Sequence, residues 1–276
     1  MTGGLAQDHT RDVDTLSPRL LAKVQGAVAT VTINAPERGN CIDLATWKAL
    51  PPLFASLDAE PDIRVIILRG SGSQAFSTGA DIAEFDTERA TAAGSRAYEA
   101  ANVAAFDAVA AVGKPVIAMI QGFCFGAGLG LAAACDLRVA AEDSLFAVPA
   151  ARLGVGYPPT ALKTLVSLMG PEPVKLLFYS ADRINAARAL SVGLVGQLVP
   201  KADLETIVSD LAHRISAGAP LTITAAKRAI DAASGVSEAF SAAKLQALAD
   251  SCFQSDDYAE GRKAFKDKRK PLFTGR

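Results

Sequence analysis

The sequence has few of the residues from which metal sites and disulfide frameworks are built. It contains four cysteines and two histidines among 276 residues, and no two cysteines form a CxxC pair. His9 and His213 lie far apart in the chain, so a Ser/His/Asp triad or a histidine metal site has little support. We expect the cysteines to be small buried side chains in a reducing compartment, with the cytoplasm as the location.

A long apolar run and an excess of charge of one sign are also absent. Charged residues make up 21% of the chain and the net charge is −1, so no electrostatic field favours nucleic acid. The longest apolar stretch, residues 116–134, is interrupted by Gln121 and four glycines, whereas a membrane span needs about 20 predominantly apolar residues. We therefore expect neither a nucleic-acid partner nor a membrane association.

The distribution of apolar residues predicts one core with two appended regions. Half of the residues are hydrophobic, which is enough for one full core in a chain of this length. Residues 1–18 are polar and lack the apolar segment of a secretion signal, so they are predicted to form a flexible N-terminal arm. Strand and helix patterns mix over residues 19–200, whereas helical patterns dominate residues 201–276.

Short continuous apolar runs bounded by turn residues predict strands that are buried on both faces. Together with alternating patterns, they predict strands over residues 28–34, 63–68, 115–120, 137–140, 145–148 and 194–199. Helical patterns predict helices over residues 44–57, 95–112, 126–134, 161–168, 173–179, 185–192, 203–216, 221–233, 236–254 and 256–268. The fold class predicted from this order is α/β.

Two segments share one physical form, a buried strand followed by a glycine-rich turn and the start of a helix. The turns are Gly79-Ala80-Asp81 and Gly126-Ala127-Gly128. The first N–H groups of a helix have no intrahelical acceptor, and glycine lets a ligand approach the backbone closely. Two such turns on adjacent strands can aim two N–H donors at one oxygen, which is an oxyanion hole. Tight helix packing is the structural alternative, and a dinucleotide site is disfavoured because Leu131 replaces the last glycine of GxGxxG.

Motifs along residues 20 to 272 resemble the enoyl-CoA hydratase/isomerase (crotonase) family. They are NAPERGN at 34–40, FSTGADI at 76–82, GFCFGAGLGLAAACD at 122–136, LGVGYP at 153–158, RALSVGLV at 188–195 and GRKAFKDKRK at 261–270. The resemblance implies a crotonase-like ββα spiral core with a C-terminal helical trimerisation region, in homo-trimers or dimers of trimers. It also implies an acyl-CoA thioester substrate, so that coenzyme A enters as part of the substrate and no separate cofactor is needed.

The resemblance assigns site residues by position. The oxyanion donors are the N–H groups of Ala80 and Ala127. The adenine end of coenzyme A is expected near Arg38, Thr78 and Ile82. In a neighbouring subunit, Phe265 and Lys268 are expected to reach the coenzyme A, although Lys268 also fits a solvated charge in a basic run.

The chain departs from the family pattern where hydratases carry two catalytic glutamates. Gly130 and Ala150 occupy those positions, and neither can accept a proton. General acid–base catalysis contributes about 10²- to 10⁴-fold, so the departure weakens the prediction of water addition and also that of simple double-bond shifting.

Other polar residues near the motifs leave the reaction open. Tyr157 lies where family decarboxylases of the methylmalonyl-CoA type place a tyrosine, although a structural hydrogen bond is the alternative. Asp81 is predicted to cap a helix. Three acids that follow it are predicted to be solvated, although one could swing toward an acyl group: Glu84, Asp86 and Glu88.

Three functions are therefore compatible with the sequence. The first is an acyl-CoA-processing enzyme of the hydratase/isomerase family that stabilises a thioester enolate. The second is an alkylmalonyl-CoA-type decarboxylase, and the third is a non-catalytic acyl-CoA-binding subunit.

Overall fold

The structure, a computed structural model, describes residues 10–235 and 240–276. Its strands are β1 Thr10–Val13, β2 Leu20–Gln25, β3 Val28–Ile33, β4 Val65–Gly70, β5 Ala75–Ser77, β6 Val116–Ile120, β7 Phe123–Phe125, β8 Leu137–Ala141, β9 Leu145–Ala147, β10 Ile184–Asn185 and β11 Gln197–Val199. Its helices are α1 Leu44–Ala59, α2 Ala92–Ala111, α3 Ala127–Ala134, α4 Ala150–Leu153, α5 Pro159–Met169, α6 Pro171–Ser180, α7 Ala186–Ser191, α8 Leu204–Ser216, α9 Pro220–Ala233, α10 Ala242–Phe253 and α11 Asp256–Lys266.

The strands form two sheets that the chain visits in turn. The larger sheet has the order β1-β2-β3-β4-β6-β8-β11, and its strands from β3 to β11 are parallel. The smaller sheet has the order β10-β9-β7-β5. Three times, a strand of the larger sheet is followed by a short strand of the smaller sheet and then by a helix, as in β4–β5–α2. The predicted ββα spiral core is thereby confirmed.

The central strands are buried on both faces, as their apolar runs predict. Alternate residues of β4 point to opposite sides, so that Ile66 and Leu68 join the main core while Val65 and Ile67 join a second cluster. Helix α8 covers that second cluster with a stripe of apolar residues that includes Val208. The larger sheet therefore lies between two layers of helices.

The C-terminal helices are attached to the core through buried polar contacts. The Lys227 ammonium on α9 donates to the Asp136 carboxylate at 2.8 Å and to the Lys114 carbonyl at 3.1 Å. Arg64, just before β4, donates to the carbonyls of Ser216 at 3.0 Å and Phe273 at 2.6 Å. The helical character predicted for residues 201–276 is present, and the trimerisation role of this region stays a prediction.

Among the predicted boundaries that change in the structure are those of the N-terminal arm and of one C-terminal helix. Within the predicted arm, Thr10–Val13 form β1, which pairs antiparallel with β2, while residues 1–9 lie outside the described part. Main-chain hydrogen bonding needs no apolar side chains, so an extended polar segment can pair with an open strand edge. The helix predicted over residues 236–254 begins at Ala242 after the Ser241 cap, and residues 236–239 lie outside the described part.

None of the helices in residues 10–235 and 240–276 is long and apolar enough to cross a membrane. The four cysteines are all unpaired, and three of them are buried.

The attachment of α9 gives a stability prediction. Lys227→Met leaves the Asp136 carboxylate without its cation in a site where the lysine side chain is only 6% exposed. We expect the free energy of unfolding to fall by about 3 kcal/mol or more. Lys201 forms a matched pair with Asp143 at 2.7 Å on the surface, where Lys201→Met should cost at most about 1 kcal/mol. Urea denaturation at one fixed protein concentration measures both, and equal losses would contradict the assignment.

Candidate active site

The backbone of Ala80 is positioned by a bridge to the segment before α1. The Ile42 amide donates to the Gly79 carbonyl at 2.8 Å, and the Asp81 amide donates to the Ile42 carbonyl at 3.0 Å. Because successive peptide groups of an extended strand point to opposite sides, the Ala80 N–H points away from Ile42. This donor is therefore left out of the bridge.

The backbone of Ala127 is positioned by the end of β7. Gly126 has φ 52° and ψ −126°, a conformation that side chains other than hydrogen disfavour, and the next residue begins α3. The Ala127 N–H is thus the first amide of a helix and has no acceptor within it. A Cβ built on Gly126 meets no atom within 4 Å, so the space beside this turn is open.

Parallel pairing of β5 with β7 brings the two turns side by side. A Cβ built on Gly79 would lie 3.0 Å from the Ala127 nitrogen, which shows how closely the first turn approaches the start of α3. In the same way, a Cβ on Gly128 would lie 2.7 Å from the Ser77 carbonyl oxygen. Ala80 and Ala127 are both half-buried. Two amide donors at the ends of adjacent strands can bind one oxygen atom and stabilise negative charge on it.

The opposite end of α3 is capped by a buried arginine. The Arg138 guanidinium donates to the carbonyl of Cys135 at 2.6 Å and to that of Ala133 at 3.4 Å, and it is only 8% exposed. A cation at the C-terminus of a helix satisfies its unpaired carbonyls and complements its dipole. The positive end of the same dipole lies at Ala127.

The residues predicted to meet the adenine end of coenzyme A lie together beside the first turn. The Thr78 amide donates to the Gly39 carbonyl at 3.0 Å, which places it next to Arg38. The Arg38 guanidinium is 2.7 Å from the Asp81 carboxylate, and Ile82 is 67% exposed. Arg38, Thr78 and Ile82 therefore share one surface, and their contact with a nucleotide stays a prediction.

Asp81 holds this surface together through its hydrogen bonds, and it caps the helical turn that follows, as predicted. Its carboxylate accepts from the Ala83 amide and from the guanidinium groups of Arg19 and Arg38, each at 3.0 Å or less. Burial opposes ionisation of Asp81, but the hydrogen bonds from Arg19 and Ala83 outweigh it and hold the carboxyl pKa below its ordinary value.

Phe265 and Lys268 belong to a different part of the protein. Phe265 is 88% exposed on α11, and Lys268 follows that helix with a φ of 53°. Their contact with the coenzyme A of a neighbouring subunit remains a prediction.

Among the described residues, no cluster of His, Cys, Asp and Glu side chains could hold a metal ion. His213 is exposed on α8, and His9 lies outside the described residues.

Aromatic side chains close the first of the two positions expected to carry glutamates. A Cβ built on Gly130 would lie 2.8 Å from the Phe106 Cζ atom and 3.0 Å from the Tyr157 hydroxyl, so two aromatic side chains occupy the space. Ala150 begins α4 and packs against the main core. The structure thus offers no acid at either position.

The Tyr157 hydroxyl makes the structural hydrogen bond that was its alternative interpretation. It donates to the Gly126 carbonyl at 3.0 Å, immediately before the Ala127 amide. Its ring packs edge-on against Phe178 at 4.9 Å between centroids. Burial raises the pKa of the phenol well above its ordinary value, so Tyr157 stays protonated and supports the second glycine turn.

A cavity of 570 Å³ opens beside Tyr157. It is lined by the end of the segment before α2, by one face of α2 and by the loop before α5: Phe85, Arg89, Ser95, Arg96, Glu99, Ala100, Val103, Leu153, Gly154, Val155, Gly156, Tyr157, Pro158 and Pro159. Glu99 is the one carboxylate among these lining residues. Burial raises the pKa of Glu99 above its ordinary value, although the charge of Arg89, at 2.6 Å, acts in the opposite direction.

Of the three acids after the first turn, Glu84 alone differs from its prediction. Glu84 is not solvated, because its carboxylate accepts from the Leu44 amide at 2.9 Å and from the Tyr98 hydroxyl at 3.1 Å. It therefore links α1 to α2, and its two hydrogen bonds keep the carboxylate from swinging toward an acyl group. Asp86 and Glu88 are exposed, as predicted.

Glu99 is the residue that sequence reasoning missed. A signal for it was present, because it lies at helical spacing from Val103 and Phe106 in a helix composed largely of alanine. An acid on the apolar face of a helix, four residues before a valine and seven before a phenylalanine, is predicted to point toward packed neighbours.

The fold is that of an α/β protein with a ββα spiral core. Comparison with known proteins gives the family, since the sequence profile of the enoyl-CoA hydratase/isomerase family matches residues 23–276. The chain belongs to this family.

Relatives and solved structures cover almost the whole chain. The chain is 30% identical to the short-chain-enoyl-CoA hydratase of Clostridium acetobutylicum over 91% of its length and 95% of that protein. It is 32% identical to the carnitinyl-CoA dehydratase of Salmonella enteritidis, covering 91% of this chain and 96% of that protein. The structure of an enoyl-CoA hydratase/carnithine racemase from Magnetospirillum magneticum superposes with a TM-score of 0.87 at 37% identity, covering 95% and 97% of the two chains.

The aromatic packing at Gly130 gives a second stability prediction. Gly130→Ala should lower the free energy of unfolding by about 1 to 3 kcal/mol, because the new methyl group overlaps the Phe106 ring. Gly261 lies inside α11, where a Cβ would meet its nearest atom at 3.6 Å, so Gly261→Ala should stabilise by up to about 1 kcal/mol.

A double-mutant cycle with Phe106→Leu completes this test by denaturant unfolding. The smaller side chain should recover part of the cost of Gly130→Ala, with a coupling free energy of about 1 kcal/mol. Strictly additive effects would show that Phe106 does not close this position.

Proposed function

We propose that this chain is an acyl-CoA lyase or isomerase that stabilises the enolate of a CoA thioester in a backbone oxyanion hole. The observation that carries the proposal is the pair of amides at Ala80 and Ala127, held next to each other by the pairing of β5 with β7. The space beside Gly126, which precedes the Ala127 amide, is open.

Two such donors act on the slow part of enolate chemistry. Removal of a proton next to a thioester carbonyl places negative charge on the carbonyl oxygen. Donors that are already oriented stabilise this charge without reorganising, and each is worth about 2.7 to 4 kcal/mol of barrier. The dipole of α3, whose C-terminus is neutralised by Arg138, adds positive potential at the same oxygen.

The names of the relatives support an acyl-CoA substrate. The two curated relatives are named for reactions of enoyl-CoA and carnitinyl-CoA, and the family match covers the segments that form both glycine turns. We extend the substrate class, an acyl-CoA thioester, from those proteins to this chain. The coenzyme A moiety is proposed to lie along the surface of Arg38, Thr78 and Ile82, next to the first turn.

The side chains around the donors favour a proton shift over the addition of water. Gly130 and Ala150 provide no carboxylate, and the aromatic contacts at Gly130 fill the space where one would lie. These positions therefore lack the two acids that would orient and activate a water molecule. Moving a proton between two carbons of the acyl group needs only one acid–base group.

The two alternative functions stay predictions. For decarboxylation, Tyr157 was the proposed group, and its hydrogen bond to the Gly126 carbonyl weighs against a direct role in the reaction. For a non-catalytic binding role, the absence of both expected glutamates is the argument, and the carboxylate in the cavity weighs against it. The cytoplasmic location and the trimeric assembly also remain predictions.

Replacing one donor tests the proposal directly. Ala127→Pro removes the N–H at the first position of α3, where proline is well tolerated by a helix. Turnover of an enoyl-CoA, followed by the absorbance of the conjugated double bond, should fall about 10²- to 10³-fold.

The matched control is Ala242→Pro at the first position of α10, which is exposed. It should keep turnover within about twofold, since proline replaces an amide that the helix does not use. Equal activity of Ala127→Pro and the unaltered protein would overturn the oxyanion hole.

A further inference from the structure

One face of α2 lines the cavity, and the same helix contacts α3, which begins at the second glycine turn. Helix α2 packs against both α3 and α5. Phe106 lies on this face beside Gly130, and it packs edge-on against Trp47 at 5.7 Å between ring centroids. Val103 and Glu99 lie one and two turns closer to the N-terminus of α2 on the same face, and both line the cavity.

The cavity reaches the oxyanion turns through Tyr157. The Tyr157 ring lines the cavity, while its hydroxyl donates to the Gly126 carbonyl. Glu99 lines the same cavity, and its negative charge contributes to the raised pKa of the Tyr157 phenol. An acyl group whose thioester oxygen lies at the Ala127 amide can therefore extend past Tyr157 into the cavity that Glu99 lines.

The surroundings hold Glu99 in place while leaving it accessible. Its carboxylate accepts from Arg89 at 2.6 Å, and the side chain remains 27% exposed. Arg89 is itself fixed between the rings of Phe85, at 4.9 Å, and Tyr98, at 5.0 Å. The Asn102 side chain is a second hydrogen-bonding partner of this carboxylate, and Glu99 still lines the cavity.

We propose that Glu99, which lies on α2 and outside both positions expected to carry glutamates, is the proton-transferring group of this enzyme. Its role is described for the isomerisation of a β,γ-unsaturated acyl-CoA, a reaction of the kind that gives the family its name. The inference rests on the proposed function, because it needs the enolate that the Ala80 and Ala127 amides stabilise. It assigns to a residue of α2 the proton transfer that Gly130 and Ala150 cannot perform.

The reaction balances without any co-reactant. The Glu99 carboxylate removes a proton from the α carbon, and the electrons of that C–H bond form the enolate, with its negative charge on the thioester oxygen. The enolate is conjugated with the β,γ double bond. The protonated Glu99 then delivers the same proton to the γ carbon, the charge returns from the oxygen, and the product is the α,β-unsaturated thioester.

The lining of the cavity fits this substrate class. The cavity volume of 570 Å³ lies within the usual range for ligand sites, about 300 to 1,000 Å³. Apolar side chains from three segments contribute to its wall, among them Phe85, Val103 and Val155. Glu99, within this wall, is the group that meets an acyl chain with a reactive carbon.

The test uses the full chain with 3-hexenoyl-CoA, whose conversion to 2-hexenoyl-CoA is followed by absorbance. A second readout, incorporation of deuterium at the α carbon of hexanoyl-CoA in D₂O, reports enolate formation alone. Glu99→Gln should lower both rates about 10²- to 10⁴-fold while the KM for the CoA thioester changes less than about threefold. Glu99→Asp should recover part of the lost rate.

Three control variants separate the role in proton transfer from a structural role. Arg89→Met removes the ion pair but keeps the carboxylate, so it should retain exchange, with the pH profile shifted to higher pH because the cation that lowers the pKa of Glu99 is gone. Glu88→Gln alters an exposed acid of the neighbouring segment, and Glu142→Gln alters an exposed acid after β8. Both glutamine variants should exchange at the rate of the unaltered protein.

The outcomes distinguish this inference from the proposed function. Unchanged exchange in Glu99→Gln, with exchange lost in Ala127→Pro, would overturn the role of Glu99 and leave the oxyanion hole standing. Loss of exchange in Arg89→Met equal to that in Glu99→Gln would show that the pair is structural, and loss in Glu88→Gln would assign the proton transfer to that residue. Absence of exchange and of isomerisation in the unaltered protein would overturn both.

Discussion

The parallel pairing of β5 with β7 sets the separation of the two glycine turns, and much of the fold supports that pairing. Ser77 fixes the first turn, because its hydroxyl donates to the Asn40 carbonyl at 2.8 Å and accepts from the Gly79 amide at 3.1 Å. Gly128 then packs against Ser77 so closely that no side chain fits between them. A pair of three-residue strands cannot hold such a geometry alone. Its rigidity comes from β4 and β6, which precede these short strands and pair in the centre of the larger sheet, buried on both faces.

Whether an element of the fold could be predicted depended on how many residues its sequence pattern covers. The runs that became β4 and β6 and the periodicity that became α1 and α2 extend over enough residues to show a period, and the structure confirms them. The smaller sheet was not predicted as a sheet, since its strands have two or three residues and are held by main-chain pairing with their neighbours. Strand β1 was missed for a related reason, because its polar residues pair with the edge of β2 without burying apolar side chains.

The candidate site also has a part that the sequence predicted and a part that it did not. Backbone donors could be located from the sequence because a glycine turn before a helix start has one physical consequence, an unpaired amide, wherever it occurs. Side chains that meet in space were harder to locate. The contact of Tyr157 with Gly126 joins residues 31 positions apart, and that of Glu84 with Leu44 joins residues 40 positions apart. Such contacts depend on how whole helices pack, which local patterns do not specify.

Gly130 lacks an acidic side chain and Glu99 supplies one, and both residues depend on how α2 packs. With no side chain at Gly130, the ring of Phe106 and the hydroxyl of Tyr157 can approach the backbone of α3, and α2 lies correspondingly close to it. The face of α2 that carries Glu99 also lines the cavity. A glutamate restored at position 130 would have to displace both aromatic side chains, and it would disturb the helix that positions Glu99. The proton-transferring group and the wall of the site are thus parts of one helix face, so that changing the position of the acid changes the shape of the space in which the acyl group lies.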